Sequence, residues 1–102
     1  MDSLSAGLNT FLVRLGMHPE TVPHETVHYM EHLLRLLDAD DEQALTDYYG
    51  LFGAGRRGLG EIARSRSLSA EDMMARIDNC VRRLAVTPEW QVIREGMGSS
   101  RG

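Results

Sequence analysis

Apolar residues recur at spacings of three and four along nearly the whole chain, and no segment alternates apolar with polar residues. The spacing of three and four puts side chains on one face of an α-helix, whereas a half-buried strand would require alternation. The first predicted helix has its apolar face at Leu4, Leu8, Phe11, Leu12 and Leu15. The chain is therefore predicted to be all-α, a single small domain of five to six short helices.

Glycines, prolines and capping residues divide this pattern into helices. Predicted N-caps are Ser3, Asp40 with Gln43 as a capping box, and Ser69, while Pro23 and Thr87-Pro88 start two further helices. The first helix is expected to stop at Gly16, and the second to run to about Leu37. Residues 1–97 are predicted to form the helical domain, with Trp90, Ile93 and Met97 of the last helix facing inward. Residues 98–102 are predicted to be a disordered tail.

Charge and composition narrow the function classes. The chain has 102 residues and a net charge of −4. Residues 1–50 hold nine acids and two arginines, whereas residues 51–102 hold six acids and nine arginines, so two surfaces of opposite character are expected. A single cysteine and the lack of a ~20-residue apolar run favour a cytoplasmic protein that does not enter the membrane. Because no catalytic motif stands out, an enzyme is not predicted.

The stretch from Leu37 to Leu84 contains the most distinctive order of motifs. A helix ends on Tyr49-Gly50-Leu51, a glycine- and arginine-rich loop follows, and two short helices come after it. These two helices, about 59–66 and 70–84, are separated by a short break, as a helix-turn-helix requires. A helix-turn-helix is predicted at about 58–85. Leu59, Ile62, Leu68, Met73 and Ile77 are expected to lock its two helices together.

This order of motifs resembles region 4 of bacterial sigma factors over about residues 24–85. The segment Leu59-Gly60-Glu61-Ile62-Ala63 and the closing Val81-Arg82-Arg83-Leu84 carry the resemblance together with the aromatic-glycine-leucine. The resemblance implies a bacterial transcription regulator whose helix-turn-helix docks on RNA polymerase and reads the −35 promoter element. RNA polymerase, promoter DNA or both are thus the expected partners.

DNA binding, if present, is expected to use arginines in and after the glycine-rich loop. These candidate phosphate contacts are Arg56, Arg57, Arg64 and Arg66. The exposed face of the second helix of the motif departs from the family, because Glu71, Ala75, Asp78 and Arg82 should lie opposite its apolar side. Acids facing a phosphate-lined groove would repel it, and phosphate contacts alone do not specify sequence.

A protein partner is the second hypothesis, since sigma region 4 also docks on the tip of the polymerase β-subunit flap. The acids of the second and third helices would attract a basic protein surface. Candidate partner-binding residues are Asp40, Asp41, Glu42, Tyr48 and Phe52. Reversing the three acids to lysine is expected to weaken the complex without unfolding the domain. The alternative is a helical adaptor or chaperone-like module without DNA binding, and the sequence does not specify the oligomeric state.

Three histidines follow one another at four-residue spacing. His24, His28 and His32 should lie on the exposed face of the second helix and span about 12 Å, too far for one ion. We expect no structural metal and no cofactor there; a metal-responsive regulator that uses this face is the remaining alternative. Cys80 falls on an apolar face and is predicted to be a core residue.

Overall fold

The computed structural model describes residues 2–99, with side chains from residue 2 through residue 96. The described chain is all-α, with six helices and no strand, as predicted. The helices are α1 (Ser3–Met17), α2 (His24–Leu34), α3 (Ala39–Tyr49), α4 (Leu59–Ser65), α5 (Ala70–Ala85) and α6 (Pro88–Ser99), with a 3-10 turn at Pro19–Thr21.

One core unites the helices. Helix α5 lies at its centre and packs against α1, α3, α4 and α6, while α6 also packs on α2. The predicted apolar face of α1 is confirmed, because Leu8 and Leu12 are fully buried and Phe11 stacks at 5.7 Å from the ring of Trp90. Burying each large apolar side chain contributes roughly 1.5–3 kcal/mol, so α1 depends on helices that are distant in sequence.

Helices α4 and α5 form the two-helix unit at the position where a helix-turn-helix is predicted. Ile62, Met73 and Ile77 are fully buried between them, and Leu59 and Leu68 pack against the same core. The short connection is tied by the Leu68 N–H, which donates to the Ala63 carbonyl at 2.9 Å. The expected lock residues are thus in the core, while the reading of DNA by this unit stays a prediction.

Two helix starts show how short polar side chains compete for capping. Ser69 is the N-cap of α5, as predicted, and its hydroxyl accepts from the Asp72 N–H at 3.0 Å. At α1 the cap is Asp2 and not Ser3, because the Asp2 carboxylate accepts from the Ser5 N–H at 2.8 Å. A carboxylate one residue earlier fits the orphan amides and suits the positive end of the helix dipole.

The capping box predicted at Asp40 is wrong. Helix α3 begins at Ala39, so Asp38 occupies the cap position, and its side chain makes no capping hydrogen bond. Gln43 instead donates to the Asp47 carboxylate at 3.0 Å, one turn further along. The carboxylate of Asp40 is used by arginines from other helices, described below.

The junction between α1 and α3 requires a glycine. A Cβ atom on Gly16 would overlap the backbone carbonyl oxygen of Tyr49. Helix α1 continues past the expected stop at Gly16 and ends at Met17. Because Gly16 has no Cβ atom, the backbone of α1 can pack closely against the end of α3. The same end of α3 closes on Gly50 in the left-handed conformation, with φ of 70°, which glycine adopts without steric cost.

The chain beyond α5 is described only in part. Helix α6 extends through residues 98 and 99, so its backbone enters the stretch predicted to be disordered. Residues 100–102, and the side chain of Met97 that was expected to face inward, lie outside the described residues. None of the described helices is long and apolar enough to cross a membrane.

Candidate functional site

Two of the four candidate DNA-binding arginines are held in ion pairs within the protein. Arg57 Nη1 lies 3.4 Å from the Asp47 carboxylate, and its Nε lies 3.4 Å from the Glu61 carboxylate. The hydrogen bond and charge of Glu61 raise the pKa of Arg57. The Arg57 N–H also donates to the Asp47 carbonyl at 2.8 Å. A phosphate would have to compete with both acids for this guanidinium.

Arg66 is the more firmly held of the two. Its Nε lies 3.3 Å from Asp40 Oδ1, and its Nη2 donates to the Asp40 carbonyl at 3.3 Å. Only 14% of its side chain is exposed, so the guanidinium is largely withdrawn from the surface. The remaining candidates, Arg56 and Arg64, are exposed and have no acidic partner among the described residues.

The acids expected to form a partner-binding surface are also paired. Arg76 Nε donates to Asp41 Oδ1 at 2.6 Å, and Arg76 Nη2 lies 3.7 Å from Asp40 Oδ2. The hydrogen bond and charge of Asp41 raise the pKa of Arg76. Together, Asp40, Asp41, Arg66 and Arg76 join the start of α3 to α4 and α5, and we call these four residues the acid–arginine seam.

The seam corrects the expectation that Asp40, Asp41 and Glu42 form a free acidic surface. Asp41 is buried, with 6% of the residue exposed, and Glu42 is half-buried. Burying a carboxylate is costly unless a cation or hydrogen-bond donors accompany it. Asp40 and Asp41 therefore share their charge with Arg66 and Arg76, and reversing these two acids to lysine would place cations against the arginines.

The opposite end of α3 is followed by a turn with an unusual backbone conformation. After Gly50, the fully buried Leu51 anchors the chain, and the Ala54 N–H donates back to the Leu51 carbonyl at 3.0 Å. The two residues inside this turn, Phe52 and Gly53, have φ of 55° and 82°. Such turns favour glycine, asparagine or aspartate, and a bulky residue with positive φ is an outlier. Phe52 is therefore held in a costly conformation while 39% of it is exposed.

Two small clefts adjoin this turn. One, of about 160 Å³, is lined by Asn9, Val13, Met17, Tyr48, Tyr49 and Arg56. The other, of about 200 Å³, is lined by Leu15, Gly16, Pro19, Val27, Gly50, Phe52, Gly53 and Ala54. The clefts are neighbours, because consecutive residues of α1 and of the end of α3 line them in turn.

Tyr48 and Tyr49 line the first of these clefts. The two rings meet edge to face at 5.0 Å, and the Tyr49 hydroxyl donates to Asn9 Oδ1 at 2.6 Å. Burial raises the pKa of the Tyr49 phenol above its ordinary value. Tyr48 is half-buried, and its hydroxyl lies 3.8 Å from Met74 Sδ. Tyr48 thus lines the first cleft with a half-buried ring, whereas Phe52 lines the second cleft and is exposed.

We use the name Phe52 surface for Phe52, which lines the second cleft, together with four residues that line the first: Val13, Met17, Tyr48 and Arg56. Val13 and Met17 are 40% and 56% exposed, so three large apolar side chains are presented around the clefts. Arg56 adds an exposed cation without an acidic partner among the described residues. An apolar patch with a charge at its edge is typical of a protein-docking surface.

Sequence reasoning identified only part of this surface. Tyr48 and Phe52 were predicted for partner binding, and Arg56 for DNA, but Val13 and Met17 were missed. Val13 lies outside the apolar face of α1, and Met17 follows the expected helix stop at Gly16. The available signal was that Val13 is apolar although it lies away from the core face of α1. This signal indicates a surface only once the structure shows that α3 lies beside α1.

The exposed face of α5 is acidic at its start, as expected. Glu71, Asp72 and Ala75 are exposed, Asp78 is half-buried, and Arg82 and Arg83 are exposed in the last turn. The Asp2 carboxylate is close enough to Arg82 that the arginine helps to lower the pKa of Asp2, after the larger effect of its hydrogen bonds to Ser5. The N-terminal end of α5, which a helix-turn-helix would insert in DNA, thus presents carboxylates.

The remaining sequence candidates lie elsewhere. His24, His28 and His32 are exposed on α2, as predicted, and no group of three or more potential metal ligands converges within the described residues. Cys80 is 2% exposed, and burial, with the neighbouring Asp41 charge, raises its pKa to about 11. Cys80 is therefore a core residue, as expected, and its thiol is a poor nucleophile at neutral pH.

Comparisons with known proteins leave this surface to be interpreted from its own chemistry. The sequence matches no protein-family model, no curated protein and no solved structure.

Proposed function

We propose that this protein is a transcription regulator that acts by docking on RNA polymerase through the Phe52 surface. The observation that carries the proposal is Phe52, an exposed aromatic side chain held at a φ of 55°. A non-glycine residue in this region costs roughly 1–2 kcal/mol. Strain of this kind, retained at an exposed ring beside two clefts, is expected where the ring serves binding and not folding.

The charges favour a protein over DNA. Of the four candidate arginines, Arg57 and Arg66 already neutralise acids of the same molecule. Arg56 and Arg64 alone would release few counterions from DNA, and affinity for DNA depends on that release. The carboxylates of Glu71 and Asp72 at the start of α5 would repel phosphates. A partner segment with an apolar side chain and a nearby acid fits the Phe52 surface better.

The choice of RNA polymerase rests on the resemblance to sigma region 4. In that family the same segment, from the aromatic-glycine-leucine onward, belongs to a module that docks on the polymerase β-subunit flap. The resemblance and the Phe52 surface concern the same stretch of chain, which is why we propose the two together. The alternative is an adaptor that uses this surface on a protein outside transcription.

Binding to purified bacterial core RNA polymerase tests the proposal. The protein would carry a fluorophore on its N-terminal amine, because its single cysteine is buried. Replacing a central aromatic anchor typically costs 2 kcal/mol or more, so Phe52→Asn should weaken binding roughly 30-fold or more. Asparagine tolerates positive φ, so the variant should keep its fold. Leu36→Asn is the matched control, because Leu36 is 52% exposed and lines neither cleft.

Three results would contradict the proposal. Phe52→Asn and Leu36→Asn could bind polymerase equally well, which would exclude the Phe52 surface. Alternatively, random duplex DNA at low salt could bind tightly, with affinity and salt dependence both reduced in an Arg56, Arg57, Arg64 and Arg66 to alanine variant. No binding to polymerase, with the fold intact, would favour the adaptor.

A further inference from the structure

Two histidine rings meet on the exposed face of α2. The Nε2 atoms of His28 and His32 lie 3.2 Å apart, with ring centroids 4.6 Å apart and planes at 88°. One helical turn separates the two residues, so their Cβ atoms are neighbours on the helix surface. The two rings therefore turn the same nitrogen toward one another, although solvent is open to both.

The separation of the two nitrogens matches a shared metal ion. Zinc binds imidazole nitrogen at about 2.0–2.1 Å, so two nitrogens on a tetrahedral ion lie about 3.3 Å apart. A square-planar ion with similar bond lengths would separate them by about 2.9 Å. The observed 3.2 Å lies between these values. The same separation fits a hydrogen bond between the two rings when no ion is bound, and a bound ion would replace that hydrogen bond.

Glu31 provides a second, independent feature of a metal site. Its Oε1 lies 4.0 Å from His28 Nδ1, on the ring nitrogen that faces away from His32. Histidines that bind metals usually donate their other N–H to a carboxylate, which orients the ring and leaves the remaining nitrogen free for the metal. A small rotation of Glu31 would complete this arrangement, with His28 presenting Nε2.

We propose that His28 and His32 bind one divalent transition-metal ion between their Nε2 atoms, with Glu31 orienting His28. Imidazole ligands select copper, nickel or zinc over magnesium and calcium, which prefer oxygen. Because no group of three or more potential ligands converges among the described residues, the protein supplies two ligands. Water, or a group from a bound molecule, completes the coordination.

Metal binding would stabilise α2, which lacks a side-chain cap at its N-terminus. Helix α2 has 11 residues, and its N-cap residue, Pro23, makes no side-chain capping hydrogen bond. An ion that joins His28 to His32 closes one turn of this helix. The paired geometry exists only when α2 is helical, so the ion binds the folded protein preferentially and raises its melting temperature.

Titration of the full chain with Cu²⁺, Ni²⁺ and Zn²⁺ tests the site by calorimetry. We expect one ion per chain, tightest for Cu²⁺, with no response to Mg²⁺. His28→Gln and His32→Gln should each weaken binding by well over tenfold, and Glu31→Gln by roughly tenfold. His24→Gln is the matched control, because His24 lies on the same helix one turn earlier and is exposed. It should bind like the wild type.

Melting curves give a readout that does not depend on heat of binding. Cu²⁺ should raise the melting temperature of the wild type and of His24→Gln, and leave that of the His28→Gln/His32→Gln double variant unchanged. Circular dichroism without metal would show that all variants are folded. Equal metal affinity in the double variant and the wild type would overturn the proposal. So would a loss in His24→Gln as large as that in His28→Gln.

Discussion

The two ends of α3 differ in whether their unusual side chains are paired within the protein or exposed. At its start, two acids and two arginines of the acid–arginine seam form ion pairs, and Asp41 is buried beside Arg76. At its end, Phe52 is exposed in a turn that the hydrogen bond from the Ala54 N–H to the Leu51 carbonyl closes, and it has a φ of 55°. The seam is therefore expected to serve stability and the Phe52 surface to serve binding. Charge alone was a poor guide to a partner, because several of the candidate acids and arginines pair with other residues of the same chain.

Reversal of Asp40, Asp41 and Glu42 to lysine should produce the largest loss of stability. A small loss would contradict the difference drawn between the two ends of α3. The substitution removes the partners of Arg66 and Arg76 and places cations beside them at Asp40 and Asp41. Leaving a buried ion-pair partner uncompensated costs about 3–5 kcal/mol, so we expect a largely unfolded protein at 37 °C. Urea unfolding followed by circular dichroism measures this. A stable variant that failed only in partner binding would restore the acidic-surface hypothesis.

Asp41→Asn should lower the free energy of unfolding by about 1–3 kcal/mol, because it removes the charge that pairs with Arg76 but keeps the shape. The cost is at the lower end for a buried pair, since the Arg76 side chain is 43% exposed. The control is Asp38→Asn, an exposed acid at the cap position of the same helix, where asparagine serves as well. Equal urea midpoints for the two variants would show that the seam contributes nothing.

Phe52→Gly tests, at the other end of α3, whether the Phe52 ring serves binding and not stability. Glycine adopts positive φ without strain, while it increases the entropy of the unfolded chain, so the two effects partly cancel. We expect the free energy of unfolding to rise by up to about 1 kcal/mol or to stay unchanged, with loss of partner binding. Destabilisation by more than about 2 kcal/mol would mean that the ring is part of the core.

A pH-dependent effect concerns Cys80, a buried residue whose thiol interacts with Asp41 of the seam. Burial, followed by the Asp41 charge, raises the pKa of this thiol from 9.0 to about 11 in the folded protein. Between these two pH values the unfolded chain loses the proton while the folded chain keeps it, so stability falls as pH rises. We expect urea midpoints of the wild type to fall relative to Cys80→Ala from pH 9 to pH 11. A constant difference would indicate that water reaches the thiol.

Local patterns were sufficient to predict the helices and most of the core. Ile62, Met73 and Ile77 were expected inside because three- and four-residue spacing depends only on nearby residues. The start of α5 at Ser69 was predicted for the same reason. The start of α3 was not, because the Asp40 carboxylate serves Arg66 and Arg76, which are distant in sequence.

The candidate sites depended on information that spacing does not contain. The pairing of Arg76 with Asp41 joins residues 35 positions apart, so no local motif reveals it. Phe52 was singled out, but its positive φ was not foreseen, because phenylalanine gives no signal for that conformation. Spacing put His28 and His32 on one face, and only their side-chain rotamers brought the two nitrogens together.

The packing of α1 on α5 has a consequence for the order in which the protein is made. The apolar face of α1 is complete when residue 17 leaves the ribosome, but its partner helix ends at residue 85. At 5–20 residues per second, synthesis of the intervening chain takes roughly 3–14 s. During that interval Leu8, Phe11 and Leu12 have no α5 to cover them. Nascent chains stalled before residue 70 should therefore be bound by chaperones at α1, and chains released after α5 should not.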